Sequence, residues 1–230
     1  MNLFYQPRLS EGITYLEGDE AHHALRVLRL RIGDLIFVTD GKGIMAHAAI
    51  TSTDQDSCNF KISQQATSTR PFEINLFVAP TKNSDRMEWL VEKATEIGVS
   101  SITMMRCERS ERKQISHERL VKMAISAMKQ SQQSFLPEVN DITSFDEIIE
   151  KTFGQKFIAF VDQTNPDHLK NLVAPGVKYA ILIGPEGDFT QQEIDRALEL
   201  NWKKVSLGPT RLRTETAALT ATLTFVLANT

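Results

Sequence analysis

The chain has 230 residues, room for one large domain or two modest ones, and is 41% hydrophobic and 24% charged, which excludes a disordered protein. Its formal net charge of -3 excludes a protein that coats nucleic acid indiscriminately, while leaving room for a local basic surface. The two cysteines, Cys58 and Cys107, have no metal-ligand spacing. Reduced thiols, no zinc site and, with no bilayer-length apolar run and no signal-like start, a cytoplasmic protein away from membranes are expected.

Residues 1–70 read as a small β-barrel-like domain. A short helix is expected over "DEAHHALRVLRL", then short strands over "DLIFVTD", "IMAHAAIT" and "CNFKIS". "DGKG", Asp40 to Gly43, is a hairpin signal between the first two strands. His22 and His23 fall on the short helix, where one packs and one is exposed.

Beyond "STRPFE", residues 71–230 alternate strand and helix, which implies a parallel sheet covered on both faces. "INLFVAP" is a buried strand. "DRMEWLVEKATEIG" is a helix with Met87, Leu90, Val91, Ala94 and Ile97 on one face, an Asp85–Glu88 capping box and Gly98 as its stop. "SSITMMRCE" is a strand and "ERLVKMAISAMKQS" a helix, with Leu120, Met123 and Ala127 on one face. "FDEIIE" is a short helix, and "KFIAFVD" and "YAILIG" are strands. "TQQEIDRALELN" is a helix opened by a Thr190–Glu193 capping box, followed by the strand "KKVSLG" and the helix "TETAALTATLTFVLAN".

Ligands of open parallel sheets sit at the carboxyl ends of the strands. Two loops have that position, "GPEGDF" (184–189) and "LGPTRLRTETAAL" (207–219), and each places Gly-Pro directly after a strand. Glycine lets backbone approach a ligand and proline stiffens the loop. Free N–H groups at the following helix starts suit a phosphate or the ring nitrogens of an adenine. There is no P-loop and no G-x-G-x-x-G after a strand, and neither loop contains lysine, which argues against a triphosphate. Read alone, either loop is equally a tight turn of the sheet.

"IGPEGDFT", "SLGPTRLRTETAAL", "DRMEWLVEKATEIGVS" and "HHALRVLRLRIGD" together resemble the ribosomal RNA small-subunit (16S) uridine-N3 methyltransferase family of the SPOUT superfamily, over residues 20 to 229. The resemblance implies an α/β fold: a SPOUT-type parallel sheet with a deep trefoil knot over 71–230, and a PUA-like RNA-binding β-barrel over 1–70. It implies S-adenosylmethionine as methyl donor, no metal, a homodimer with the final helix in its interface, and as substrate the small-subunit ribosomal RNA, in an assembled or assembling 30S subunit. Ile183, Gly184, Glu186 and Gly187 would wrap one side of the donor. Leu207, Gly208, Leu212, Arg213, Thr214, Thr216 and Ala217 would wrap the other. Ala218, Leu219, Thr222, Phe225 and Val226 would form the apolar stripe of the interface.

Within this frame the Glu186 carboxylate either offsets the donor's sulfonium charge or accepts loop N–H bonds and holds the turn. Arg213 is the candidate to stabilise charge developing on a uracil oxygen. Glu215 is either the base or a helix-start carboxylate favoured by the macrodipole. No histidine occurs in the C-terminal motifs, so a histidine base is not expected there. Arg26, Arg29 and Arg31 would contact RNA phosphates. "RCERSERK" adds Arg106, Arg109, Arg112 and Lys113 at a strand end. Two positions depart from the family pattern. Asp188 stands where many relatives have a second glycine, and "KQSQQS" has glutamine where a glycine-arginine ending is expected. A noncatalytic RNA-binding or ribosome-assembly factor, and a methyltransferase aimed at another RNA position, are the alternatives.

Overall fold

The structure is a computed structural model that describes residues 2–111, 115–160 and 167–230. The chain divides into two compact units, Met1–Arg70 with Met128–Leu136, and Pro71–Ala127 with Pro137–Thr230.

The first unit holds a five-stranded sheet in the order β1-β3-β4-β5-β2. Its strands are β1 (Leu3–Tyr5), β2 (Tyr15–Glu17), β3 (Leu35–Thr39), β4 (Ile44–Thr53) and β5 (Ser57–Thr67). The expected hairpin joins β3 to β4. Asp40 closes it by accepting from the backbone N–H groups of Lys42 (2.7 Å) and Ile44 (3.0 Å). Gly43 has φ 115°, and a Cβ there would lie 2.5 Å from the Ser68 carbonyl oxygen, so only glycine fits. β1 and β2 were not anticipated: with three residues each at the sheet edges, they are too short to show a period of two.

The expected short helix is α1 (Gly18–His22), continued by a π-helical turn over His23–Val27. Here the sequence splits by face. Leu25, Leu28 and Leu30 pack against a core that includes Phe4, Leu16, Ile36, Val38 and Phe60, while Arg26, Arg29 and Arg31 are exposed. His22 is exposed, and His23 is partly buried with its ring 6.2 Å from that of Phe4. Glu20 ties residues 128–136 into this unit, accepting from Lys129 Nζ (2.5 Å) and from the Tyr5 N–H (3.0 Å).

The second unit is a six-stranded, wholly parallel sheet in the order β11-β9-β10-β6-β7-β8. Its strands are β6 (Glu73–Val78), β7 (Ser101–Arg106), β8 (Glu138–Ser144), β9 (Gln155–Ala159), β10 (Lys178–Ile183) and β11 (Lys203–Val205). Its helices are α2 (Ser84–Ile97), α4 (Phe145–Ile149), α5 (Gln191–Glu199), α6 (Thr214–Leu227) and, up to Ala127, α3 (His117–Gln130), whose last three residues belong to the first unit. β8 was missed because its "EVNDITS" is polar at an edge.

Alternation along β10 builds two cores. Ala180 and Leu182 pack with Phe77, Ile148 of α4, Ile194 of α5 and Trp202. Tyr179 stacks on Phe225 of α6, with ring centroids 4.6 Å apart. Helices therefore cover both faces, as the alternating pattern predicts.

The Thr190–Glu193 capping box is present, with both reciprocal bonds, and Gly98 ends α2 at φ 103°. The Asp85–Glu88 box is not. Asn83 caps α2 by accepting from the Asp85 N–H (2.8 Å), and Glu88 pairs with Arg119 (2.9 Å). On α6, Ala218, Thr222 and Phe225 are buried against their own unit. The other two residues of the expected stripe, Leu219 and Val226, are half-buried, and the outward face carries Thr216, Leu223 (45% exposed) and Leu227 (66%).

Candidate functional site

β9, β10 and β11 are neighbours in the parallel sheet, and their carboxyl ends open into a cavity of about 750 Å³. Ala159 and Phe160, then Ile183 and Gly184, then Val205 and Ser206 form its floor. The loop 184–190 supplies one wall, and the loop 206–213 with the start of α6 supplies the other.

The two loops are tied to each other. Thr214 Oγ1 donates to the Gly184 carbonyl (3.1 Å), a buried bond, and Arg211 Nη2 donates to the Glu186 carbonyl (3.2 Å) at the exposed rim. Gly184 is tightly packed: a Cβ would lie 3.1 Å from the Phe189 ring and 3.4 Å from Asp188 Oδ1, so the Phe189 side chain would have to give way. Gly208 has φ 140°, a backbone conformation costly for other residues. Asp188 also holds a left-handed conformation, φ 61°, and its Oδ1 accepts from the Phe189 N–H (2.8 Å). A carboxylate can support that strain locally, as glycine would avoid it.

Of the residues expected at a donor site, Ile183, Gly184, Glu186, Leu207, Gly208, Leu212, Arg213, Thr214 and Ala217 line this cavity. Gly187 and Thr216 do not. Gly187 instead receives Arg109, whose Nη1 donates to the carbonyls of Gly187 (2.9 Å) and Phe189 (3.4 Å). Thr216 lies on the exposed side of α6. Glu186 is exposed, and its Oε1 accepts from the Lys82 N–H (3.4 Å), a contact that supports the loop.

Arg213 and Glu215 both reach the cavity. Glu215 is only 6% exposed, and its Oε2 has no hydrogen-bond partner among the described residues. Two charged or titratable cavity residues stand outside the two C-terminal loop motifs: Arg86, from the first turn of α2, and His168. Arg86 Nε lies 3.8 Å from Glu215 Oε1. Its position after the carboxyl end of β6 was the available signal, since that strand borders β10. The His168 Nδ1 accepts from the Lys170 N–H (3.2 Å).

Among the candidate RNA contacts, Arg26, Arg29 and Arg31 are exposed, and Arg29 holds φ 55°. Arg112 and Lys113 lie outside the described residues. Arg106 lines a second, polar cavity of about 460 Å³ beside the Arg196–Asp146 ion pair. Cys107, in the same loop, is buried, and burial with Glu193 nearby drives its thiol pKa well above the ordinary range. Among the described residues, no cluster of histidine, cysteine or carboxylate side chains could hold a metal ion, and no helix is long and apolar enough to cross a membrane.

Comparison with known proteins places this geometry. The model of an RNA methyltransferase domain matches residues 68–226, and that of an RNA methyltransferase PUA domain matches residues 16–63. A crystal structure described as a probable rRNA-methyltransferase from Porphyromonas gingivalis is 40% identical, with TM-score 0.92 over 100% of this chain and 98% of that one. The ribosomal RNA small subunit methyltransferase E from Neisseria gonorrhoeae, solved bound to S-adenosyl methionine, is 30% identical, with TM-score 0.84 over 96% and 95% of the two chains. The protein of the same name from Bacillus subtilis is 27% identical over 93% of this chain and 90% of its own length.

Proposed function

The chain belongs to the RNA methyltransferase domain family, and on that premise we propose that it methylates N3 of a uridine in 16S small-subunit ribosomal RNA, using S-adenosylmethionine. The observation that carries this reading is the pair of cross-tied loops at the carboxyl ends of three adjacent parallel strands. They enclose a volume within the usual range of small-ligand sites, about 300–1,000 Å³. The residues fit a cationic adenosine. Gly184 and Gly208 let backbone close on it, and Glu186, Asp188 and Glu215 put carboxylates on the walls.

The bound donor supplies an electrophilic methyl group on a sulfonium centre. The protein's own part is alignment and charge. Uracil N3 carries a proton that must leave before the nitrogen can attack. The Glu215 carboxylate accepts it, and the Arg213 guanidinium stabilises the negative charge that builds on the adjacent oxygen. Holding the acceptor in line then supplies much of the acceleration. Arg211 and Thr214 keep the two walls closed around the pair.

Residues 1–70 act as the RNA-binding domain and 71–230 as the methyltransferase domain, with the trefoil knot formed in the latter. Arg26, Arg29 and Arg31 hold RNA phosphates; among the described residues none of the three has an ion-pair partner. The protein works in the cytoplasm as a homodimer on a 30S subunit. The outward apolar side chains Trp89, Leu223 and Leu227 supply an interface.

The test is labelled S-adenosylmethionine with 30S subunits and naked ribosomal RNA from cells lacking the protein, followed by mass-spectrometric mapping. N3-methyluridine at one position in 16S RNA is expected. No incorporation, or label on another atom, would refute the assignment.

A further inference from the structure

Glu215 is the second residue of α6, and its carboxylate does not behave as helix-start carboxylates do elsewhere in this chain. In α4 and α5 a glutamate at the third position, Glu147 and Glu193, reaches back to the backbone N–H of the capping residue. In α6 that position is Thr216, and Arg213 makes no side-chain cap. The Glu215 carboxylate is therefore not used by its helix. It is buried on the cavity wall with Oε2 unpartnered among the described residues. A buried, unsatisfied carboxylate oxygen is costly and calls for a donor.

Several charged groups share the cavity with it. Arg211 and Arg213 come from the loop before α6, Glu186 and Asp188 from the opposite loop, His168 from the adjoining turn and Arg86 from α2. Within ion-pair distance among the described residues there is one, Arg86 at 3.8 Å. That is too long for a hydrogen bond, so the contact is coulombic and leaves the guanidinium donors and the carboxylate oxygens free to engage a ligand. Arg86 is also about one-third exposed at its side chain, 36%, so it is not a structural core residue.

We propose that Arg86 is a positioning residue: across the cavity it holds the Glu215 carboxylate oriented, so that Oε2 takes the imide N–H of the methyl-accepting base. This rests on the uridine-N3 reading above. Glu215 must present that oxygen to the base, and the neighbouring guanidinium fixes the side it turns to; the other carboxylates of the cavity, Glu186 and Asp188, belong to the opposite loop.

The experiment compares wild type, Arg86→Gln, Arg86→Lys and Glu215→Gln. Single-turnover methylation at saturating donor and 30S substrate is measured beside donor affinity, with the double variant Arg86→Gln, Glu215→Gln included. Arg86→Gln should lower the single-turnover rate about tenfold, and in the Glu215→Gln background the same change should lower it no further, because the group it positions is gone. Arg86→Lys should restore most of the rate, and donor Kd should stay within about threefold of wild type, ~0.65 kcal/mol. Additive losses in the double variant, or an Arg86→Gln rate equal to wild type, would overturn the proposal. If wild type methylates an atom other than N3 the functional reading falls instead, while the double-variant comparison on that product still decides whether Arg86 acts through Glu215.

Discussion

Thr214→Val tests whether the two loops are held together as described. The exchange is close to isosteric, so it opens no cavity, but it deletes the hydroxyl that donates to the Gly184 carbonyl at 3.1 Å. Thr214 is 6% exposed and Gly184 is buried, so the carbonyl is left without that donor in a place water does not readily reach. The expected loss is about 1–2 kcal/mol, between the net value of a hydrogen bond and the full cost of a stranded acceptor. By contrast Arg211→Ala removes a rim contact at 3.2 Å and should cost less than about 0.5 kcal/mol. Urea denaturation followed by tryptophan fluorescence is the assay, because Trp89 and Trp202 both lie in the unit that carries the cavity. Donor affinity, measured by calorimetry, should weaken up to about tenfold for Thr214→Val, since 1.4 kcal/mol is a factor of ten. The double variant should lose more than the sum, because either tie alone keeps the walls closed. A Thr214→Val protein within about 0.3 kcal/mol of wild type would refute the reasoning.

Arg109→Ala should weaken donor binding about fivefold, roughly 1 kcal/mol for a partly exposed charge-assisted contact, because it frees the carbonyls of Gly187 and Phe189; a larger loss of RNA affinity than of donor affinity would mean that the arginine serves RNA instead. Replacing Arg26, Arg29 and Arg31 together with glutamine should reduce the slope of log affinity for RNA against log salt by about 2; an unchanged slope puts the phosphates elsewhere. Cys107 should resist alkylation at pH 8 in the folded protein and react once it is unfolded, because burial raises its thiol pKa. The sign for stability is that of a raised pKa: the contribution is complete below the ordinary thiol value of 9.0 and is lost as pH rises toward the folded one. Cys107→Ser should flatten that alkaline loss in a denaturation series.

What could be read before folding was local. The "DGKG" turn, the Thr190–Glu193 box, the Gly98 stop and the apolar face of α2 each depend on residues within a turn or two of one another. The two Gly-Pro loops were legible for the same reason: a strand that ends in glycine and proline shows its break within a few residues. The Asp85–Glu88 box failed because Asn83 competed for the same N–H, and pattern alone does not rank two capping groups. Which of the α6 stripe residues turn inward could not be read, because a helix apolar on most sides gives periodicity no polar side to orient against, and packing of Phe225 on Tyr179 decided it. The site's decisive contacts were out of reach of any pattern. Arg86 meets Glu215, Arg109 meets Gly187 and Thr214 meets Gly184 only because a parallel sheet brings the ends of separate strands to one edge. Sequence by itself determined the elements and the loops, where the forces act between near neighbours; the pairing of charges across the cavity was decided by tertiary structure, because coulombic and hydrogen-bond energies depend on distances in space that chain separation does not encode.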